Sequence, residues 1–201
     1  MNKGRVFIIS GPSGSGKDTV LKKVFEKCPQ IAFSISSITR PMREGEIEGE
    51  KYNFISRERF AEMIKNDALL EYNVYLGNYY GTPKEPVINC VENGKSMIIE
   101  VDVNGAEQIR TKIPDAVSIF IMPPSLEVLK KRLCGRGTEE EAVREKRLNA
   151  SLNEIAKAVG YDYIVVNDSL NLAVDNVISI ISVDSLKTDH NLNIVNEVLG
   201  N

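Results

Sequence analysis

Residues 6–19 read VFIISGPSGSGKDT, and the order of residue types in this stretch decides the fold. Val6, Phe7, Ile8 and Ile9 form a short apolar run of the kind that makes a buried strand. Gly11, Pro12, Ser13, Gly14, Ser15 and Gly16 follow as a glycine- and serine-rich turn. Lys17 then opens a helical pattern with Val20, Leu21, Val24 and Phe25 on one face. Strand, glycine turn and helix in that order build a phosphate cradle. Successive backbone N–H groups point inward, the helix N-terminus adds partial positive charge, and Lys17 reaches the outer phosphates of a nucleotide. The spacing G-x4-G-K is a modest signal by itself; the flanking strand and helix set it apart from an ordinary glycine-rich turn. One position departs from the pattern. Where Ser or Thr would hold magnesium through a hydroxyl, the chain carries Asp18. A carboxylate there can ligate Mg2+ directly or through water, while adding repulsion toward the β-phosphate. Thr19 is a poor substitute, because one step along a helix turns a side chain by about 100°.

Working outward, 201 residues suffice for one sizeable core with small insertions and are few for two independent domains. The hydrophobic share of 42% and charged share of 26% are those of a soluble globular protein. No apolar run is long enough to span a bilayer, and the N-terminus runs straight into a strand with no cleavable signal. Cys28, Cys90 and Cys134 are widely spaced and odd in number, which fits a reduced cytoplasm and predicts a cytoplasmic protein. They lack His or Cys neighbours at ligand spacing, and the single histidine, His190, lies near the C-terminus, so neither structural zinc nor histidine catalysis is expected. The net charge of −3 argues against nucleic-acid binding. Lys17, Arg40, Arg43, Arg132, Arg136, Arg144, Lys146 and Arg147 fall into local groups among glutamates, a pattern suited to a small polyanion. Monomer and homo-oligomer both stay open.

Along the chain, Phe33 to Ser36 reads as a short strand and Thr39 to Glu50 as a polar loop. Tyr52, Phe54 and Ile55 suggest a strand, and Ser56 caps a helix carrying Phe60, Met63 and Ile64. Ala68 to Tyr80 is extended, with a turn at Gly77-Asn78. Thr82-Pro83-Lys84-Glu85 reads as a capping box opening a helix to about Glu92. Met97 to Val103 is a second strongly apolar strand, followed by a helix from Asn104 to Ile113. Then come a strand at 117–122, a helix capped by Ser125, a capping box at Thr138 to Glu141 with a helix to about Val159, a strand at 163–166 and a helix from Leu170 to Ile181. Strands at 5–10, 97–103, 117–122 and 162–167 alternate with helices, which predicts an α/β fold with a parallel sheet covered on both faces. Residues 34–81 break that rhythm and predict a small mixed insertion, leaving 1–33 and 82–201 as the core. Residues 183–201 allow one terminal helix.

The second informative stretch is SSITRPMREGEIEGEKYNFI, residues 36–55. Arg40 and Arg43, with Tyr52 beyond a glycine-containing loop, can converge on one phosphate with charge-assisted hydrogen bonds. A solvated charged loop accounts for the same residues, and the charges alone leave the two even.

The stretch resembles the signature of guanylate kinases, T-R-x-x-R-x-x-E-x-x-G-x-x-Y-x-F, present as Thr39, Arg40, Arg43, Glu46, Gly49, Tyr52 and Phe54. Its first residue, usually Thr or Ser, is Ile38 here. The likeness runs from Gly4 to about Leu170 through L-E-Y at 70–72, G-N-Y-Y-G-T at 77–82, E-V-D-V-N-G-A at 100–106 and P-P-S at 123–125. It continues through K-K-R-L-x-G-R-G-T at 130–138, K-R-L at 146–148 and V-N-D at 166–168.

What the resemblance implies is specific. The fold is the P-loop type, with a GMP-binding insertion and a helical lid at about 136–143. Arg40, Arg43, Tyr52 and Tyr80 hold the acceptor phosphate, and Ser36, Glu71, Thr82 and Asp102 read the guanine edge. Guanine offers an N–H and an amino group side by side, which a carboxylate accepts as a pair; adenine would leave that carboxylate unpaired. Arg132, Arg136 and Arg147 match the family's lid arginines and, with Lys17, surround the transferring phosphoryl group. Asn167 and Asp168 match the segment against the ATP adenine. Glu100 and Asp102 resemble strand-end carboxylates facing hydrated magnesium or substrate. The implied reaction is ATP:GMP phosphotransfer with Mg2+. Two other readings compete: the same fold acting on a phosphorylated sugar, suggested by Asp18, and a non-enzymatic guanylate-kinase-like binding module. The guanine-reading set opposes the first, the intact cradle and lid arginines the second.

Overall fold

The chain's computed structural model describes residues 3–134 and 141–200. Two compact units divide it, one of Ile9–Gln30 and Ser118–Asn201, the other of Lys3–Ile8 and Ile31–Val117. Strand β1 (Val6–Ser10) contributes to both, and all five of its residues are buried, as a strand covered on both faces must be. It is the middle strand of a five-stranded sheet in the order β2 (Ala32–Phe33), β7 (Met97–Glu100), β1, β8 (Val117–Met122), β9 (Tyr163–Val166). The β2–β7 and β8–β9 pairs are parallel, with Ala32 opposite Met97 and Ile119 opposite Tyr163.

In the first unit, α1 (Lys17–Lys27) buries Val20, Leu21 and Val24 and packs on α7 (Leu170–Asp184), which buries Ala173, Val174 and Val177. Phe25, expected on the same face of α1, is half-buried. Helix α5 (Leu126–Cys134) is capped as predicted, Ser125 Oγ accepting from the Val128 N–H at 3.2 Å. Helix α6 runs Glu141–Ala156, continuing into a 3-10 turn at Lys157–Gly160. The capping residues 138–140 and most of the expected lid, 136–140, lie outside the described residues. A 3-10 turn at Thr188–His190 and the helix α8 (Leu192–Leu199) end the chain.

The second unit carries a four-stranded sheet in the order β4 (Tyr52–Phe54), β3 (Ser36–Ile38), β6 (Asn78–Pro83), β5 (Leu69–Tyr75). Strands β5 and β6 form a hairpin whose turn residues, Leu76 (φ 47°) and Gly77 (φ 75°), both take the left-handed conformation that suits the strand twist. Helix α2 (Arg57–Lys65) buries Phe60, with Ser56 Oγ accepting from the Arg59 N–H at 3.1 Å. Helix α3 (Lys84–Glu92) and helix α4 (Val103–Lys112) complete the unit.

Three expectations are corrected. The strand expected at 33–36 is two strands in two sheets, and its first part, β2, adds a fifth strand to the large sheet. The strand expected to reach Val103 stops at Glu100, because Asp102 caps α4, its Oδ1 accepting from the N–H groups of Asn104 (2.9 Å) and Gly105 (2.8 Å). The Thr82–Glu85 capping box does not form. Strand β6 runs through Pro83, α3 begins at Lys84 with no side-chain cap, and the Thr82 hydroxyl is directed elsewhere.

Candidate active site

The cradle lies within the first unit. Strand β1 delivers the chain to Gly11, where a Cβ would stand 2.5 Å from the Ile121 carbonyl oxygen, so only glycine permits this approach. Gly14 (φ 84°) and Gly16 (φ 82°) take left-handed conformations that let the loop reverse into α1. The Ser15 N–H donates to the Pro12 oxygen at 3.0 Å, and the N–H groups of Thr19 and Val20 both donate to the Gly16 oxygen at 3.1 Å. Residues 11–19, with Arg132, Asn167, Asp168 and Leu170, line a pocket of about 550 Å³. The Lys17 side chain is largely buried, with Nζ 3.6 Å from Asp18 Oδ1, whereas the Asp18 side chain is 74% exposed on the pocket lining.

Two of the arginines read as phosphoryl-facing, Arg132 and Arg147, hydrogen-bond to this loop. Arg132 Nη1 donates to the Ser15 oxygen (3.2 Å) and Nη2 to the Asn167 oxygen (3.0 Å), while Arg147 Nη2 donates to Ser13 Oγ (3.2 Å). Arg136 falls outside the described residues. Asn167, expected against a base, is buried, with its side-chain Nδ2 donating to the Ser15 oxygen at 2.8 Å.

The acceptor residues belong to the second unit, gathered by its four-stranded sheet. Ser36 stands opposite Tyr52 across β3 and β4, Ile38 opposite Tyr80 across β3 and β6, and Glu71 opposite Thr82 across β5 and β6. Arg40, 9% exposed, donates from Nη1 to Glu46 Oε2 (2.7 Å) and from Nη2 to Glu46 Oε1 (2.6 Å). Its guanidinium lies 5.4 Å from the Tyr52 ring centre and 5.6 Å from that of Phe54. Glu46 also accepts from the Arg43 N–H at 2.7 Å; the Arg40 hydrogen bonds first, and that one second, hold its pKa down at about 2. Arg43 itself is exposed.

Glu71 is 5% exposed and accepts a 2.7 Å hydrogen bond from Thr82 Oγ1. Burial pushes its pKa up to about 7; the Asp102 charge adds to the rise and the Thr82 hydrogen bond opposes it. Asp102 is committed to its cap, and its Oδ2 accepts from Asn73 Nδ2 at 2.8 Å. Glu100 is ion-paired with Lys51 at 3.2 Å, so a cation approaching it meets that lysine. Among the described residues no group of three or more His, Cys, Asp or Glu is placed to hold a metal. A hard oxygen donor does stand at the cradle: the exposed Asp18 carboxylate, which fits Mg2+ in chemistry and position.

Sequence reading missed Glu46 as the partner of Arg40, Lys51 as that of Glu100, Asn73 as that of Asp102, and Gly105. A Cβ on Gly105 would lie 2.9 Å from Glu71 Oε2. Of these, Glu46 carried a signal in the Arg40–Tyr52 motif and Gly105 in E-V-D-V-N-G-A at 100–106.

A family model described as guanylate kinase matches residues 3–184. The guanylate kinase of Carboxydothermus hydrogenoformans is 42% identical over 187 residues, 93% of this chain and 92% of its own length. That of Oceanobacillus iheyensis is 46% identical over 187 residues, 93% of this chain and 91% of its own length. Among solved structures, guanylate kinase from Anaplasma phagocytophilum superposes with a TM-score of 0.80 at 32% identity, covering 98% of this chain and 95% of that one.

Proposed function

This chain belongs to the guanylate kinase family, and from that premise we infer that it phosphorylates GMP at the expense of ATP, giving GDP and ADP. The observation that carries the reading is the buried Glu71–Thr82 pair, since a buried carboxylate favours a ligand able to donate two adjacent N–H groups to it. Guanine is such a ligand, and a sugar phosphate is not. In this reading Glu71 accepts from the guanine N1–H and amino group, with Ser36, Thr82 and Asp102 around the same edge. Arg40, Arg43, Tyr52 and Tyr80 bind the acceptor phosphate, and residues 34–81 serve as the nucleotide-binding insertion.

The cradle N–H groups and Lys17 hold the β- and γ-phosphates of ATP, and the Asn167 segment holds the adenosine side. Arg132 and Arg147, with Arg136, balance charge on the transferring phosphoryl group. No covalent intermediate on the protein is needed; alignment and charge neutralisation supply the rate. Asp18 would hold Mg2+ at the cradle, where the ion would supply charge neutralisation for the phosphate oxygens. A cytoplasmic location agrees with the free thiols of Cys28 and Cys90.

A coupled assay with ATP as donor tests the reading, comparing GMP, dGMP, AMP and ribose bisphosphate as acceptors. Turnover with GMP and dGMP, and little with the other two, is expected. No turnover with GMP overturns it.

A further inference from the structure

One carbonyl of the cradle is gripped by two side chains. Asn167 Nδ2 donates to the Ser15 oxygen at 2.8 Å, and Arg132 Nη1 donates to the same oxygen at 3.2 Å. The other arm of Arg132 donates to the Asn167 carbonyl at 3.0 Å, so three residues close a ring of hydrogen bonds. Asn167 is itself fixed, its main-chain N–H donating to the Met122 oxygen at 2.8 Å and the residue being only 5% exposed.

The peptide linking Ser15 to Gly16 is planar and trans, so its C=O and N–H point in opposite directions. Fixing the Ser15 oxygen therefore fixes the direction of the Gly16 N–H, at the N-terminus of α1 where anions bind. The loop's own hydrogen bonds, Ser15 N–H to the Pro12 oxygen and the α1 N–H groups to the Gly16 oxygen, leave the Ser15 carbonyl itself to these side chains. Gly14 and Gly16 both have access to either sign of φ, and a free glycine loop spreads over many conformations. Gly16 also makes room for the grip, since a Cβ there would lie 2.4 Å from Asn167 Nδ2.

We infer that Asn167, through its side-chain amide, is a positioning residue of the phosphate cradle. With Arg132 it sets the Gly16 amide for the donor's phosphates before the donor arrives. The inference rests on the donor-site reading above and extends it: a residue placed by sequence beside the base governs the opposite end of the nucleotide. Phosphate binding then depends on Asn167 even when the ligand has no base.

The test is isothermal titration of the full chain with inorganic tripolyphosphate, ATP and GMP, comparing wild type with Asn167→Leu and Asn167→Ala. The first variant keeps most of the volume without the donor; the second removes both. Both should bind tripolyphosphate and ATP about tenfold more weakly, the scale of one lost hydrogen bond, with GMP affinity unchanged. Amides of residues 13–17 should exchange hydrogen faster in the unliganded variants. Weaker ATP binding with tripolyphosphate binding intact would confine Asn167 to the base and overturn the inference. An equal loss for GMP would overturn it as well, by showing a general structural defect. Wild type that binds neither tripolyphosphate nor ATP would sink the donor-site reading itself, and the inference with it.

Discussion

Thr82 Oγ1 donates at 2.7 Å to Glu71 Oε1 across a β-hairpin, and both residues are buried. Burial raises the Glu71 pKa from the ordinary 4.5 to about 7, so the folded protein holds this proton more tightly than the unfolded chain. The stability it contributes is present below 4.5 and is lost as pH rises through about 7. Guanine recognition runs the opposite way, because a protonated Glu71 no longer accepts two N–H donors. We predict that kcat/KM for GMP falls about tenfold per pH unit below 7, as for any binding that needs one group ionised. KM for ATP should not share this slope. Glu71→Gln should flatten the profile and lower kcat/KM for GMP by on the order of a hundredfold or more. The same slope in that variant would assign the titration to another group.

Gly105 gives a second handle on the same carboxylate. On helix propensity alone, Gly105→Ala in α4 should stabilise by about 0.5–1 kcal/mol. Here the new methyl would lie 2.9 Å from Glu71 Oε2 and 3.2 Å from its Cδ, so the carboxylate must move. We expect the melting temperature to fall or hold rather than rise, and KM for GMP to increase about tenfold with KM for ATP unchanged, since small displacements of a positioned group are felt strongly. Steady-state kinetics with each nucleotide varied in turn decide this.

The contrast between the two half-sites shows what a sequence makes legible. The cradle was readable because residues 10–19 are contiguous, and covalent order alone puts strand, glycines and helix in place. The acceptor set was not, since Ser36, Glu71 and Thr82 meet only through the registers of a four-stranded sheet, and the family motif supplied what spacing could not. Thr82 was misread because T-P-K-E fits a capping box locally, while burial of Glu71 recruits the hydroxyl across the hairpin. Asp102 looked like a strand-end carboxylate but serves as a helix cap, a distinction of one residue at an element boundary. The split of the strand expected at 33–36 into β2 and β3 left no sign in the sequence, because pieces of two and three residues carry no periodicity. Pairs such as Lys51–Glu100 and Asn73–Asp102 leave no local trace at all.

Asp18 sits 3.6 Å from the ammonium of Lys17 with its carboxylate largely in solvent. A carboxylate outcompetes a hydroxyl for Mg2+ by charge. Asp18→Ser should raise the half-saturating Mg2+ concentration about three- to tenfold in the GMP phosphorylation assay, the scale of one modest ligand exchange. Mg2+ binding measured calorimetrically with a non-hydrolysable ATP analogue should weaken in step. Unchanged metal affinity would remove Asp18 from the metal site.

Glu46 aligns Arg40 and belongs to the same acceptor reading. Both guanidinium arms of Arg40 end on Glu46, its plane is flanked by Tyr52 and Phe54, and its Nε is buried with no hydrogen-bond partner among the described residues. A bidentate carboxylate fixes the guanidinium in position and orientation together, so a phosphate meets it ready aligned. Glu46→Gln replaces one acceptor with an N–H donor facing an arginine N–H, and the fork opens. KM for GMP should rise about five- to twentyfold, in keeping with one charge-assisted contact misaligned, with KM for ATP unmoved. The pair also leaves a mark on acid stability. The Glu46 pKa is held down at about 2 against an ordinary 4.5, so its stabilisation is present above 4.5 and lost as pH falls through about 2. Acid unfolding of Glu46→Gln should therefore begin at higher pH than in the wild type, followed by circular dichroism. If the two acid transitions coincide while KM for GMP is unchanged, Glu46 neither orients Arg40 nor contributes through it.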